Sequence, residues 1–308
     1  MGRRGHDRSR ISFAGLVLEL ILGLAWALPF RVFRFLSMSI MGAYRLLAGR
    51  KLTKTARQSL DIAFGDALPV REKARITRVS FDNLVGSIVG HGYAVARPKT
   101  THRFFSVEGR EYLDAALARG KGAAIAIAHF GPFSWMLFRF ADLGYPANVV
   151  MRPPRDKGLF DKLLTSRKRC GINIIYSVPL RSCVVESLKV LGQGELVFMP
   201  IDQNYGGQGR LFVDFFGRPA ATAPGPVAFA LKTGAPLFFI YAMPDGPLHW
   251  RIVIGPEVKL EKAASERETL LKNTAALTKR LETLVRQHPD QWSWMHKRWK
   301  AVPREGEI

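Results

Sequence analysis

One histidine in this sequence stands where an α/β protein places a reactive base. The run Ala123 to Ala128 is short, apolar and preceded by Gly120 and Gly122, the pattern of a buried parallel strand. His129 follows it directly, and Gly131-Pro132 then opens a helix. Open α/β sheets collect ligands beyond the carboxyl ends of their strands, so His129 is the leading candidate for chemistry, against the plainer reading of an imidazole bonded to a neighbouring carbonyl. A second apolar run, Glu195 to Pro200, leads into Ile201-Asp202-Gln203. If the two strands are parallel, Asp202 faces the same crevice. A carboxylate there can fix the imidazole tautomer and stabilise the imidazolium formed when His129 takes a proton from a hydroxyl; its plainer reading is a loop or helix cap. Arg152, after the next strand, and Arg167, in the next helix, lie on the flank where planar, permanently charged donors can hold a phosphate or a developing oxyanion.

Other chemistries lack their signatures. The remaining histidines have no metal-ligand spacing around His129, and no G-x-S-x-G, Walker loop or G-x-G-x-x-G occurs, so neither a metal nor an organic cofactor is expected. Gly206-Gly207-Gln208-Gly209 reads equally as a turn or as a weak phosphate cradle.

The elements that must position these residues repeat in a regular cycle. Helices are expected over Pro132 to Leu143, Leu159 to Arg169 and Arg181 to Leu191, with strands over Asn148 to Met151, Ile172 to Tyr176 and Glu195 to Pro200. This alternation predicts an α/β fold with a mostly parallel, mixed sheet flanked by helices. Further strands are expected over Leu211 to Phe216, Leu237 to Ala242 and Trp250 to Ile254, the last two antiparallel across the Pro244-Asp245-Gly246 turn. Ser265-Glu266-Arg267-Glu268 is a capping box, and Leu270, Leu277, Leu281 and Leu284 behind it mark a long closing helix.

The chain has 308 residues, 47% of them hydrophobic, and 46 Lys plus Arg against 25 Asp plus Glu, a net charge of +21. That is a folded protein with a field that attracts polyanions. Cys170 and Cys183 are too few to staple a fold and suit a reducing compartment. The first residues carry Arg3, Arg4, Arg8 and Arg10, and the apolar stretch Ile11 to Phe30 follows. No small-residue cleavage site follows that stretch, so it resembles a signal peptide only superficially, and Glu19 and Pro29 make it a poor spanning helix; an anchor lying in, or dipping into, the leaflet fits better. We expect residues 1–58 to form a basic, helical membrane-association segment on the cytoplasmic leaflet, with Trp26 and Phe30 at the interface, and residues 59–308 to form the catalytic domain. An ordinary core hairpin is the competing reading of the segment. Nucleic-acid binding is not expected, because the basic residues are spread from Arg3 to Arg304 without a recognition-helix or RNA-binding signature.

Three segments carry a more specific signal: Ala128-His129-Phe130-Gly131; Asp202-Gln203-Asn204-Tyr205-Gly206 with Val213 to Thr222; and His288 to Lys300, which reads HPDQWSWMHKRWK. In these the chain resembles the late acyltransferases of lipid A biosynthesis, the lauroyl and myristoyl transferase family, within the wider bacterial lysophospholipid acyltransferases. The resemblance runs from about Pro29 to Lys300. It implies an inner-membrane enzyme that moves a fatty acyl chain from acyl carrier protein, or acyl-CoA, to a hydroxyl of a phosphorylated glycolipid or other lipid acceptor, with His129 catalytic and Gln203 on the substrate. One departure stands out. The family's histidine is followed five positions later by an acid, and here that position is Ser134, which could at most hold the ring. Either Asp202 supplies the missing carboxylate, or the chain is a lipid-binding member of the same fold that has lost turnover.

Overall fold

The structure is a computed structural model and describes residues 13–153, 168 and 170–305. Four helices come first: α1 (Phe13–Ala27), α2 (Phe30–Ala48), α3 (Arg50–Phe64) and α4 (Val70–Ala96). The α/β cycle follows as β1 (Phe105–Glu108), α5 (Arg110–Leu117), β2 (Ala123–Ile127), α6 (Phe133–Asp142), β3 (Ala147–Met151) and β4 (Ile172–Tyr176). It continues through α7 (Leu180–Gly192), β5 (Leu196–Pro200), the hairpin β6 (Leu211–Phe215) and β7 (Arg218–Thr222), α8 (Gly225–Thr233), β8 (Leu237–Pro244), β9 (Trp250–Ile254) and α9 (Glu266–Gln287). Seven strands form one sheet in the order β1-β9-β8-β2-β5-β3-β4. All neighbours pair parallel except β8 and β9, which pair antiparallel as the turn between them requires.

The composition of β2 follows from its place at the sheet centre. Every residue of Ala-Ala-Ile-Ala-Ile is buried, because both faces are covered by helices and neither can be polar. Ala124 and Ala126 pack into a core shared with α3, α7, α8 and α9, while Ala123, Ile125 and Ile127 pack into the opposite core with α2, α4, α5 and α6. The Ser265 side chain accepts from the Glu268 N–H at 3.2 Å and caps α9.

Several outcomes depart from the sequence reading. Strand β6 does not join the large sheet but pairs with β7, a strand that alternation did not suggest because Pro219 and three small residues dilute its pattern. Phe216 and Gly217, both at positive φ (58° and 73°), make the tight turn between them. The Phe216 N–H is met by Glu282 Oε2 at 2.9 Å. The 27-residue α4 is a further element the sequence reading lacks; it packs on α1, α2, α3 and α6. The N-terminal segment is helical where described, and among the described residues no helix is long and apolar enough to cross a membrane. Position 58, where composition changes, lies inside α3. The helix expected over Leu159 to Arg169, and with it Arg167, lies outside the described residues, Lys168 apart, as do Arg3, Arg4, Arg8 and Arg10.

Candidate active site

Sheet register builds the site. Strands β2 and β5 are adjacent and parallel, with Ile127 opposite Pro200, so the residues two places beyond each strand end, His129 and Asp202, stand opposite one another. The Ile201 N–H donates to Ile127 O at 3.0 Å and carries the pairing one step past the strands. His129 Nδ1 then lies 2.9 Å from Asp202 Oδ1, and the His129 backbone N–H donates to Asp202 Oδ2 at 2.8 Å. The chain leaves β2 through Gly131, at φ +54°, where a Cβ would stand 2.4 Å from Ala242 O, so only glycine makes this exit to α6.

Asp202 is 2% exposed, yet its surroundings favour the ionised form. Burial alone would push its carboxyl up, but the neighbouring His129 charge, the two His129 hydrogen bonds and the Trp292 indole together hold it at about 2. The Trp292 contact, Nε1–H to Asp202 Oδ2 at 2.8 Å, is a feature the sequence reading did not assign. The only signal for it was the position of Trp292 within the HPDQWSW run. That run is a strap across the site. The Gly131 N–H donates to Gln291 O at 2.8 Å, and the Ser293 N–H donates to His129 O at 3.0 Å. Further along, Arg298, fully buried, donates to Gln203 O at 3.0 Å and to Ala221 O at 2.6 Å. Burial pulls its guanidinium down to about 10. The Asn204 N–H donates to His296 Nε2 at 2.9 Å, which makes that nitrogen an acceptor; burial lowers the His296 pKa and favours this neutral form.

Because Nδ1 donates to an ionised carboxylate, the neutral His129 ring carries its lone pair on Nε2. That edge opens onto a groove of about 530 Å³, with the imidazole 20% exposed at its mouth. Val150, Leu180, Val184, Met199, Ala228 and Phe229 give the groove its mainly apolar wall, and Arg152 and Gln203 also line it. Tyr205, Gln208 and Gly209 line it too, so the glycine loop borders the groove. The Gln203 carboxamide Nε2 stands 3.0 Å from His129 Nε2.

Ser134 does not take part in this arrangement, and the expectation that it could hold the ring is corrected. It sits in the first turn of α6, which faces α4, and its hydroxyl lies 3.0 Å from Ser87 Oγ and 3.2 Å from Ser87 O. Its carbonyl is 3.2 Å from His91 Nδ1, also on α4. The structure thus brings His129, Gln203 and Arg152 to one groove, holds Asp202 buried behind the imidazole, and bonds Ser134 to Ser87 instead. Among the described residues no cluster of three or more His, Cys, Asp or Glu side chains could hold a metal ion.

The site is thus an imidazole bonded on one side to a buried carboxylate and opening on the other to a mainly apolar groove. The chain belongs to the bacterial lipid A biosynthesis acyltransferase family, whose profile matches residues 5–301, and it is an acyltransferase of lipid A or a related lipid-linked acceptor. It is 26% identical over 303 residues to the lipid A biosynthesis lauroyltransferase of Escherichia coli (strain K12), covering 97% of this chain and 94% of that protein. To the palmitoleoyltransferase of the same organism it is 27% identical over 306 residues, with the same coverage. A phosphatidylinositol mannoside acyltransferase of Mycobacterium tuberculosis (strain ATCC 25618 / H37Rv) is 25% identical over 203 residues, 63% of this chain and 60% of that protein.

Proposed function

We propose that this protein transfers a fatty acyl chain from an acyl thioester, on acyl carrier protein or coenzyme A, to a hydroxyl of a lipid A-like or other lipid-linked acceptor at the cytoplasmic face of the inner membrane, with His129 as general base. The observation that carries the reading is the 2.9 Å contact between His129 Nδ1 and buried Asp202, which leaves Nε2 basic and facing the apolar groove. The acceptor hydroxyl gives its proton to Nε2, and its oxygen attacks the thioester carbonyl carbon. The tetrahedral oxyanion collapses by breaking the C–S bond, and the leaving sulfur takes the proton back from Nε2 to depart as a thiol. Asp202 stabilises the imidazolium between these two transfers. Arg152 supplies positive charge on the groove wall for an acceptor phosphate or the oxyanion, the role also proposed for Arg167. The apolar wall suits the acyl chain.

Membrane association is supported by α1 and α2. Trp26 and Phe35 are 70% exposed and Ile40 68%, with Leu20, Leu24, Val32 and Leu36 on the same two helices also exposed, the kind of surface that suits contact with lipid. Arg31 on α2 and Arg50, Lys54 and Arg57 on α3 are exposed and suit anionic headgroups. The alternative, a lipid-binding member without turnover, was motivated by Ser134; the carboxylate already beside His129 favours the catalytic reading.

The test is acyl transfer by the full chain in vesicles holding a hydroxylated, phosphorylated glycolipid acceptor, with acyl carrier protein or coenzyme A thioesters as donors. His129→Ala should lower turnover by at least ~10³-fold while the protein still melts cooperatively; unchanged turnover in that variant overturns the mechanism. Vesicle co-sedimentation of Phe35→Glu/Ile40→Glu should show weakened binding to anionic vesicles, and undiminished binding overturns the in-plane attachment.

A further inference from the structure

The donors that could stabilise an oxyanion beside His129 are largely committed elsewhere. The His129 N–H is bonded to Asp202, the Gly131 N–H to Gln291 O and the Ser134 N–H to Ser87 Oγ at 3.2 Å, while residue 132 is a proline without an N–H. Side chains on the groove wall can take up this work, and among the described residues Gln203 is the one in contact with His129 Nε2. Its backbone is fixed, since Gln203 O accepts from buried Arg298, but its side chain is exposed and turns on its own torsions. With the ring proton on Nδ1, Nε2 can only accept, so the group facing it at 3.0 Å is the carboxamide N–H. An acceptor hydroxyl must occupy that same place to lose its proton.

We propose that Gln203 is a two-position donor: in the free protein its carboxamide N–H caps the lone pair of His129 Nε2, and when the acceptor hydroxyl displaces it, the same N–H turns to the thioester carbonyl oxygen and stabilises the oxyanion. This role rests on the acyl-transfer reading above. It makes Gln203 a catalytic residue: as the C=O electron pair moves onto oxygen, the amide donor meets the new charge, and it withdraws when the C–S bond breaks and the ester carbonyl re-forms. The cap also keeps the basic nitrogen occupied until a hydroxyl competes for it.

Two measurements on the full chain separate the parts. The first needs no substrate: ¹⁵N-imidazole NMR titration of wild type, Gln203→Ala and Gln203→Glu. The charged and titratable groups around the imidazole, Asp202, His296, Arg298 and the groove's Arg152, are the same in all three. A carboxylate at the capping position favours the protonated ring, so the His129 titration in Gln203→Glu should move up by about one pH unit or more, and the acid limb of the pH–rate profile with it. A titration that does not move overturns the contact. The second is steady-state transfer from an acyl thioester. Gln203→Ala should lower kcat by ~10²–10³-fold, the usual cost of one oxyanion donor, with KM within about threefold. A kcat within tenfold of wild type, or a loss confined to KM, overturns the oxyanion role while leaving the acyl-transfer reading intact. A wild-type protein that transfers no acyl chain from any thioester overturns both. Thermal melts of each variant exclude unfolding, which is not expected at an exposed side chain.

Discussion

Replacing Asp202 by Asn separates the carboxylate's electrostatic role from its shape, and the structure dictates how the amide must sit. Two donors converge on Oδ2, the His129 backbone N–H and the Trp292 indole N–H, each at 2.8 Å. Both require an acceptor, so the Asn oxygen takes the Oδ2 place. The amide NH2 is thereby forced into the Oδ1 place, 2.9 Å from His129 Nδ1. A donor there can be satisfied only if Nδ1 accepts, so the ring proton moves to Nε2, the edge facing the groove. The substitution therefore removes the lone pair that takes the acceptor's proton and also removes the charge that supports the imidazolium. The corresponding exchange in a Ser-His-Asp triad lowers turnover ~10⁴-fold, about 5 kcal/mol of barrier. We expect a loss of that order in kcat for Asp202→Asn, with a modest change in melting temperature because both converging donors keep a partner. The assay is single-turnover acyl transfer from a thioester to a vesicle-borne acceptor, paired with ¹⁵N-imidazole NMR to read the tautomer. A kcat within tenfold of wild type, or a ring that keeps its proton on Nδ1, would refute the orientation argument.

Three further outcomes follow from the same geometry. Trp292→Phe keeps most of the buried ring but deletes the indole donor to Asp202; a hydrogen bond to a charged group contributes about 1.5–3 kcal/mol, so kcat should fall ~10–100-fold with KM little changed, and a loss confined to KM would remove Trp292 from the positioning role. Asp202, held at about 2 against an ordinary value near ~3.9, binds its proton less readily in the native than in the unfolded state, so its stabilisation is complete above pH ~4 and disappears as pH falls through about 2; denaturant midpoints between pH 5 and pH 2 should decline less steeply in Asp202→Asn than in wild type, and equal slopes would contradict this linkage. Ser134→Glu places a carboxylate against Ser87 on α4, away from the groove, so turnover should not rise above wild type while stability falls by about 1–3 kcal/mol; a tenfold gain in turnover would show that His129 needs an acid on that side after all.

Much of the catalytic edge was legible in the sequence because its signals are local. The apolar runs that end at Pro200 and just before His129 announce buried parallel strands, and the strand-end rule then places His129 and Asp202 at one edge. What no local pattern contains is the register between two strands separated by 73 positions, which turns two candidates into a bonded pair. The β7 strand escaped notice because Arg-Pro-Ala-Ala-Thr has no alternation and a single β-branched residue, and it forms through its tight turn and its pairing with β6. Ser134 was misplaced because the spacing of an acid-bearing motif was applied to the first turn of α6, whereas packing of α6 on α4 turns this side chain towards Ser87.

The strap 288–299 explains why the closing tryptophans belong to the site and not merely to the core. Its bonds divide between the two catalytic segments: Gln291 O and the Ser293 N–H hold residues 129–131, while Trp292, His296 and Arg298 hold Asp202, Asn204 and Gln203 respectively. Strand pairing alone fixes the two strand ends relative to one another but leaves the residues beyond them as free loops, each with polar backbone groups that burial would orphan. The strap satisfies those groups and fixes both loops with the same short segment. A carboxylate 2% exposed needs such an arrangement, because an ionised oxygen in the interior persists only where donors are already in place. The imidazole with its own backbone, the Asp202 carboxylate and the Trp292 indole thus form one bonded unit assembled from three distant stretches of chain. Among the described residues at the groove mouth, Gln203 is the exposed side chain bonded to the imidazole.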